Sequence, residues 1–171
     1  LVRDKLGFGR NSRLIKFLRE ELDAFLNNTT GVGSELHDQF PALENAMVAV
    51  EQALTRINEH VREGRTHETS QFYTRFLEML GLTASAWVLL ESACLAERQL
   101  REPLSAEEAA FYRGKVKTAH YFFANILPTV TQHAHTIENL LVAHCGIALD
   151  ELVQAEPLIP TPPQSLFGGP R

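Results

Sequence analysis

The chain has 171 residues, 44% apolar and 22% charged, which suits one packed domain and is too apolar for general disorder. Its formal charge of −5 and pI near 5.8 supply no broad basic face, so no nucleic-acid partner is expected. The longest uncharged apolar run, residues 79–90, is bracketed by Glu78 and Glu91. It falls short of the roughly 20 residues that cross a bilayer, so no membrane span is expected.

Position 1 is not Met, and the opening Leu1-Val2-Arg3-Asp4-Lys5-Leu6 lacks the apolar run and cleavage site of a signal peptide. A start inside a longer protein is expected. Apolar positions then follow helical spacing. Leu14, Leu18, Leu22 and Phe25 mark one stripe, widened by Phe17 and Leu26. Asn11 or Ser12 can cap that helix, and the turn-rich residues 27–33 end it.

The second segment alternates steps of four and three through Leu36, Phe40, Leu43, Met47, Val50, Leu54, Ile57 and Val61, the seam of supercoiled helices. Pro41 interrupts its start, and Gly64 closes it. The third carries Phe76, Leu80, Thr83, Trp87, Leu90 and Cys94. Leu77, Leu82, Val88 and Leu89 make its other faces apolar too, which predicts the most buried helix. Thr66 is its expected cap and Pro103 its stop.

Ser105 and Glu108 form a capping box. From there Tyr112, Val116, Ala119, Phe123, Ile126, Val130, His133, Ile137, Leu140 and His144 keep the rhythm to Gly146. Pro128 removes one backbone bond and crowds the carbonyl of Ala124, so a kink is expected there. The pattern predicts an all-α fold: an antiparallel four-helix bundle over residues 11–150 with long helices and a kinked last one. Residues 151–171, rich in Pro and Gly, read as an extended tail, and its Pro160 and Pro163 match an SH3-type ligand only weakly.

Few residues carry chemistry of their own. A di-iron bundle needs Glu-x-x-His pairs, but none of the seven histidines has a carboxylate three residues before it. No metal site is expected. His133 and His135 point in different directions on a helix, and His133 reads as a hydrogen-bonded interior histidine. His60-Val61-Arg62-Glu63-Gly64 echoes a phosphorelay helix, although Glu63 would repel a phosphoryl group. Arg113, Lys117 and His120, with Lys115 beside them, form a basic stripe that could face coenzyme A phosphates or simply water. Trp87, Phe122 and Phe123 read as core aromatics. Cys94 and Cys145, without metal-ligand spacing, read as reduced apolar residues of an intracellular protein, cytoplasmic if bacterial.

Residues 111–123, Phe-Tyr-Arg-Gly-Lys-Val-Lys-Thr-Ala-His-Tyr-Phe-Phe, followed by Leu127-Pro128, resemble the extra helical domain of the longer acyl-CoA dehydrogenases. The opening Leu1 to Leu6 is similar to the end of that family's Gly-Ile-Gln helix, with Asp4 departing from the usual glycine or basic residue. The resemblance implies that residues 1–10 end a helix of a preceding flavin domain. It implies a parent that uses FAD to oxidise acyl-CoA to 2-enoyl-CoA, with its glutamate base upstream of Leu1. It also implies partners: the flavin domain of the same chain, a homo-oligomer of the parent, and acyl-CoA through that parent. No catalytic residue carries over to this chain, no cofactor-binding residue can be assigned, and no cofactor is expected on the bundle alone. The alternative is a free-standing interaction or phosphorelay bundle centred on His60.

Overall fold

The steps of four and three between residues 43 and 57 produce one long helix, Gln39–Arg62, whose Leu43, Met47, Val50, Leu54 and Ile57 are buried. A computed structural model of the chain describes residues 13–28, 34–65 and 69–142. Among them are five α-helices, one 3₁₀ turn and no strand: α1 Arg13–Asn28, the turn Ser34–Leu36, α2 Gln39–Arg62, α3 Tyr73–Gln99, α4 Ala106–Asn125 and α5 Pro128–Val142. The expected caps at Asn11, Ser12 and Thr66, together with Cys145, Gly146 and the segments 1–10 and 151–171, lie outside the described residues.

Pro41 is no flaw in α2. It stands in the first turn, where the missing N–H has no partner within the helix to lose. Leu36 belongs to the separate 3₁₀ turn yet is fully buried, so the seam crosses the break. At the other end Gly64 adopts φ +84°, and its N–H and that of Arg65 bond the carbonyls of Val61 (3.2 Å) and His60 (3.0 Å). This double closure needs a left-handed residue, which is why glycine stands there.

Helix α3 corrects the expected seam. Its buried line is Phe76, Met79, Thr83, Ala86, Leu90 and Ala93, led in by Phe72 just before the helix, with Cys94 beside it. Leu80 and Trp87 flank that line half-buried, against Leu18, Leu22 and Met47. Because α3 is apolar all round, spacing alone could not choose its phase. Nor is it wrapped on every side, since Leu77, Val88 and Leu95 are exposed. By length and composition this helix could cross a membrane, but one side of it forms the centre of the bundle.

In α1 Leu22 is buried as expected, while Ile15 is buried in place of Leu14, which is exposed along with Phe17. The capping box at α4 forms as expected: Glu108 N–H donates to Ser105 Oγ (3.2 Å) and Ser105 N–H to Glu108 Oε2 (3.0 Å). The bend at Pro128 is a complete break. The N–H groups of Ile126 and Leu127 both bond the Phe122 carbonyl at 2.9 Å, and Pro128 becomes the first residue of α5. Ile126 is therefore a half-buried turn residue instead of part of the seam.

Contact pairs give the relative directions. Arg19 meets Glu44 while Phe25 stacks on Phe40, so α1 and α2 pair in reverse order. Gln39 meets His120 and Arg56 meets Glu138, so α2 and the α4–α5 arm advance together. Helix α3 packs against the α4–α5 arm, pairing Leu89 with Phe122 and Glu78 with His133 in reverse order.

Candidate functional site

The partly buried ionic and imidazole side chains of the described residues sit chiefly at helix junctions. Arg19 holds α1 to α2: its guanidinium lies 3.0 Å from Asp23, 2.7 Å from Glu44 and 3.7 Å from Glu51. Hydrogen bonding to Glu44 raises the Arg19 pKa, whereas burial raises that of Glu51. The i, i+4 spacing of Arg19 and Asp23 was legible in the sequence, but the partners on α2 were not.

Arg56 joins α2 to α5. Its Nε donates to both oxygens of Glu138 (3.0 and 2.9 Å), its Nη2 closes a second contact, and Nη1 reaches Glu59 at 3.3 Å. The hydrogen bonds from Arg56 hold the Glu138 carboxyl below its ordinary value. This pair stands in a cleft of about 750 Å³, lined also by Val48, Glu51, Gln52, Thr131 and His135.

His120, His133 and His60 each make a contact within the helical framework. Gln39 and His120 Nδ1 are 3.1 Å apart. With its amide oxygen toward the ring, Gln39 also donates to the carbonyls of Glu35 (3.2 Å) and Leu36 (3.0 Å), tying α4 to the entry of α2. The expected basic stripe is thereby split: Arg113 and Lys117 are exposed, and His120 is half-buried and engaged. Lys115 lies over the Phe111 ring, 5.2 Å from its centre. His133 Nδ1 stands 3.4 Å from an Arg75 nitrogen, while Nε2 faces Glu78 at 3.2 Å outside hydrogen-bond geometry. It bridges α5 to α3, close to the interior post expected. His60 Nδ1 bonds the Arg56 carbonyl at 3.0 Å, at the closing turn of α2. That contact occupies one ring nitrogen with the helix's own backbone.

Cys94 is a free, buried thiol whose pKa is pushed up to about 11 by burial, which suppresses the reactive thiolate. Phe123 is core as expected, but Phe122 is half-buried and lines an open groove of about 550 Å³ with Ala84, Ser85, Val88 and Leu89. Among the described residues no group of three His, Cys, Asp or Glu side chains is placed to hold a metal ion.

The family model described as acetyl-CoA dehydrogenase C-terminal like matches residues 18–143, hence every described helix from within α1 to the end of α5. The chain belongs to this C-terminal family of the acyl-CoA dehydrogenases. It is 26% identical over 125 residues to the broad-specificity linear acyl-CoA dehydrogenase FadE5 of Mycobacterium tuberculosis, covering 70% of this chain and 20% of that protein. It is 30% identical over 95 residues to a butyryl-CoA dehydrogenase of Syntrophomonas wolfei, covering 54% of this chain and 15% of that protein. The chain thus spans a fifth or less of these relatives.

The linings of the two clefts do not fit an FAD held by the bundle alone. In the larger cleft a flavin diphosphate would meet Glu51, Glu59 and Glu138, with Arg56 already engaged. The residues lining the apolar groove include no cationic side chain.

Proposed function

We propose that this chain is the accessory C-terminal bundle of an enzyme that oxidises acyl-CoA to 2-enoyl-CoA with FAD, and that the bundle itself is structural and interface-forming. The family match over residues 18–143 carries the reading. The side-chain geometry supports it, because Arg19, Arg56, His120 and His133 join helices to one another. The flavin and the carboxylate that takes the substrate α-proton would belong to a flavin domain in the same polypeptide, with acyl-CoA meeting the protein there.

The proposed layout is a bundle over 11–150, a short lead of 1–10 and a tail of 151–171; the family match falls inside the bundle. The parent is proposed to be an intracellular homo-oligomer without a membrane span. Reading the locus upstream of Leu1 tests this function. A flavin-domain sequence ending in a glutamate turn and a Gly-Ile-Gln helix is expected, and an unrelated fold there would overturn it.

A further inference from the structure

Helix α3 has two apolar sides, and the bundle uses one. The buried line through Phe76, Met79, Thr83 and Leu90 faces the other helices. On the reverse side Leu77, Val88 and Leu95 remain 41%, 59% and 54% exposed. At about 100° per residue these three and Ala84 fall within a sector of roughly 40°, forming one stripe along the helix. The groove bounded by Ala84, Ser85, Val88, Leu89 and Phe122 continues it onto α4. None of these residues is charged. The opposite cleft, with Glu51, Arg56, Glu59 and Glu138, has the charged character of a solvated face. A helix that is apolar all round is ordinarily covered on both sides, as in the core of a larger protein.

Resting on the proposed function, we infer that the Leu77–Val88–Leu95 stripe and the Phe122 groove dock on the remainder of the dehydrogenase polypeptide. The matched relatives supply the reason for this occupant. The matched stretches account for 20% and 15% of their lengths, so most of each of those polypeptides lies outside the match with this bundle. The docked surface must itself be apolar and uncharged, since the stripe offers no charge to pair. A second copy of this chain is the competing occupant, and the oligomeric state in the test below separates it. An anionic membrane is disfavoured by exposed Glu78 and Glu91, which flank the stripe on either side.

The test compares the full-length enzyme carrying Val88→Asp and Leu95→Asp with one carrying Gln52→Lys on the opposite cleft. Limited trypsin digestion should release the bundle at least tenfold faster from the double variant, with Gln52→Lys unchanged. In the 171-residue chain the same aspartates should leave the helical melt unchanged, because both side chains are exposed. If they unfold it, Val88→Ser with Leu95→Ser takes their place. Unchanged digestion of the full-length variant would overturn the docking face. So would a 171-residue dimer that the aspartates dissociate, or binding to phosphatidylglycerol vesicles that they abolish. Absence of flavin-dependent acyl-CoA oxidation in the unsubstituted full-length protein would instead overturn the proposed function.

Discussion

Arg56 on α2 and Glu138 on α5 form a two-pronged pair across 82 residues of sequence, the guanidinium Nε reaching both carboxylate oxygens at 3.0 and 2.9 Å. Both side chains are nearly half exposed, so the pair is screened by water and its value lies in orienting α5 on α2. Glu138→Gln should lower the melting temperature by a few degrees at most. The exchange Arg56→Glu with Glu138→Arg should recover part of the loss that either single change causes. A double-mutant cycle on thermal melts checks this. Additive losses would show that the two residues do not cooperate.

The pH dependence should have two opposing parts. Glu138, Glu108 and Glu63 have lowered pKa values, through Arg56, Ser105 and Arg65 respectively. Their stabilisation is present above the ordinary value of 4.5 and is lost as pH falls through their folded values. Glu51 is raised by burial, so its ionised form costs stability at neutral pH. That cost disappears as pH falls through its folded value toward 4.5. Stability should therefore rise slightly from pH 7 toward pH 5 and fall below 4.5. Denaturant titrations at stepped pH measure it, and Glu51→Gln should flatten the rise while leaving the acid fall.

Trp87 sits half-buried against Phe25, ring centres 6.4 Å apart, and its indole Nε1 is shielded without a hydrogen-bond partner. Trp87→Ala should cost about 2–3 kcal/mol, less than for a fully enclosed tryptophan. Trp87→Phe should cost under about 1.5 kcal/mol, because the lost ring volume is offset by removing an unsatisfied donor. Equal losses for the two variants in urea melts would mean that the N–H is bonded in solution.

Gly64→Ala meets no atom within 4 Å, so its effect isolates backbone strain at φ +84°. A cost of about 1 kcal/mol is expected. No measurable loss would imply that α2 ends with a different turn in solution.

Legibility in the sequence followed the range of each interaction. The α2 seam, the Ser105–Glu108 capping box and the Gly64 closure are local and could be read from spacing, as could the disturbance at Pro128, although the sequence predicts a kink where the helix breaks. The phase of α3 could not, since Leu80 and Trp87 fit a helical seam as well as Met79 and Ala86 do. Only the position of neighbouring helices decides between them. The clamps are less legible still, because Gln39 and His120 are 81 residues apart and Arg56 and Glu138 are 82. What pointed to the family was the local Phe111–Phe123 segment, which carries no reactive chemistry of its own.

The central claim is that this bundle serves an acyl-CoA dehydrogenase without holding the flavin. Anaerobic addition of acyl-CoA while recording flavin absorbance tests it most directly, with the full-length protein and the 171-residue chain purified side by side. The full-length protein should carry one flavin per chain that bleaches on addition of substrate, and the 171-residue chain should be colourless and unresponsive. A flavin retained and bleached by the 171-residue chain, or a full-length protein with no flavin at all, would contradict it.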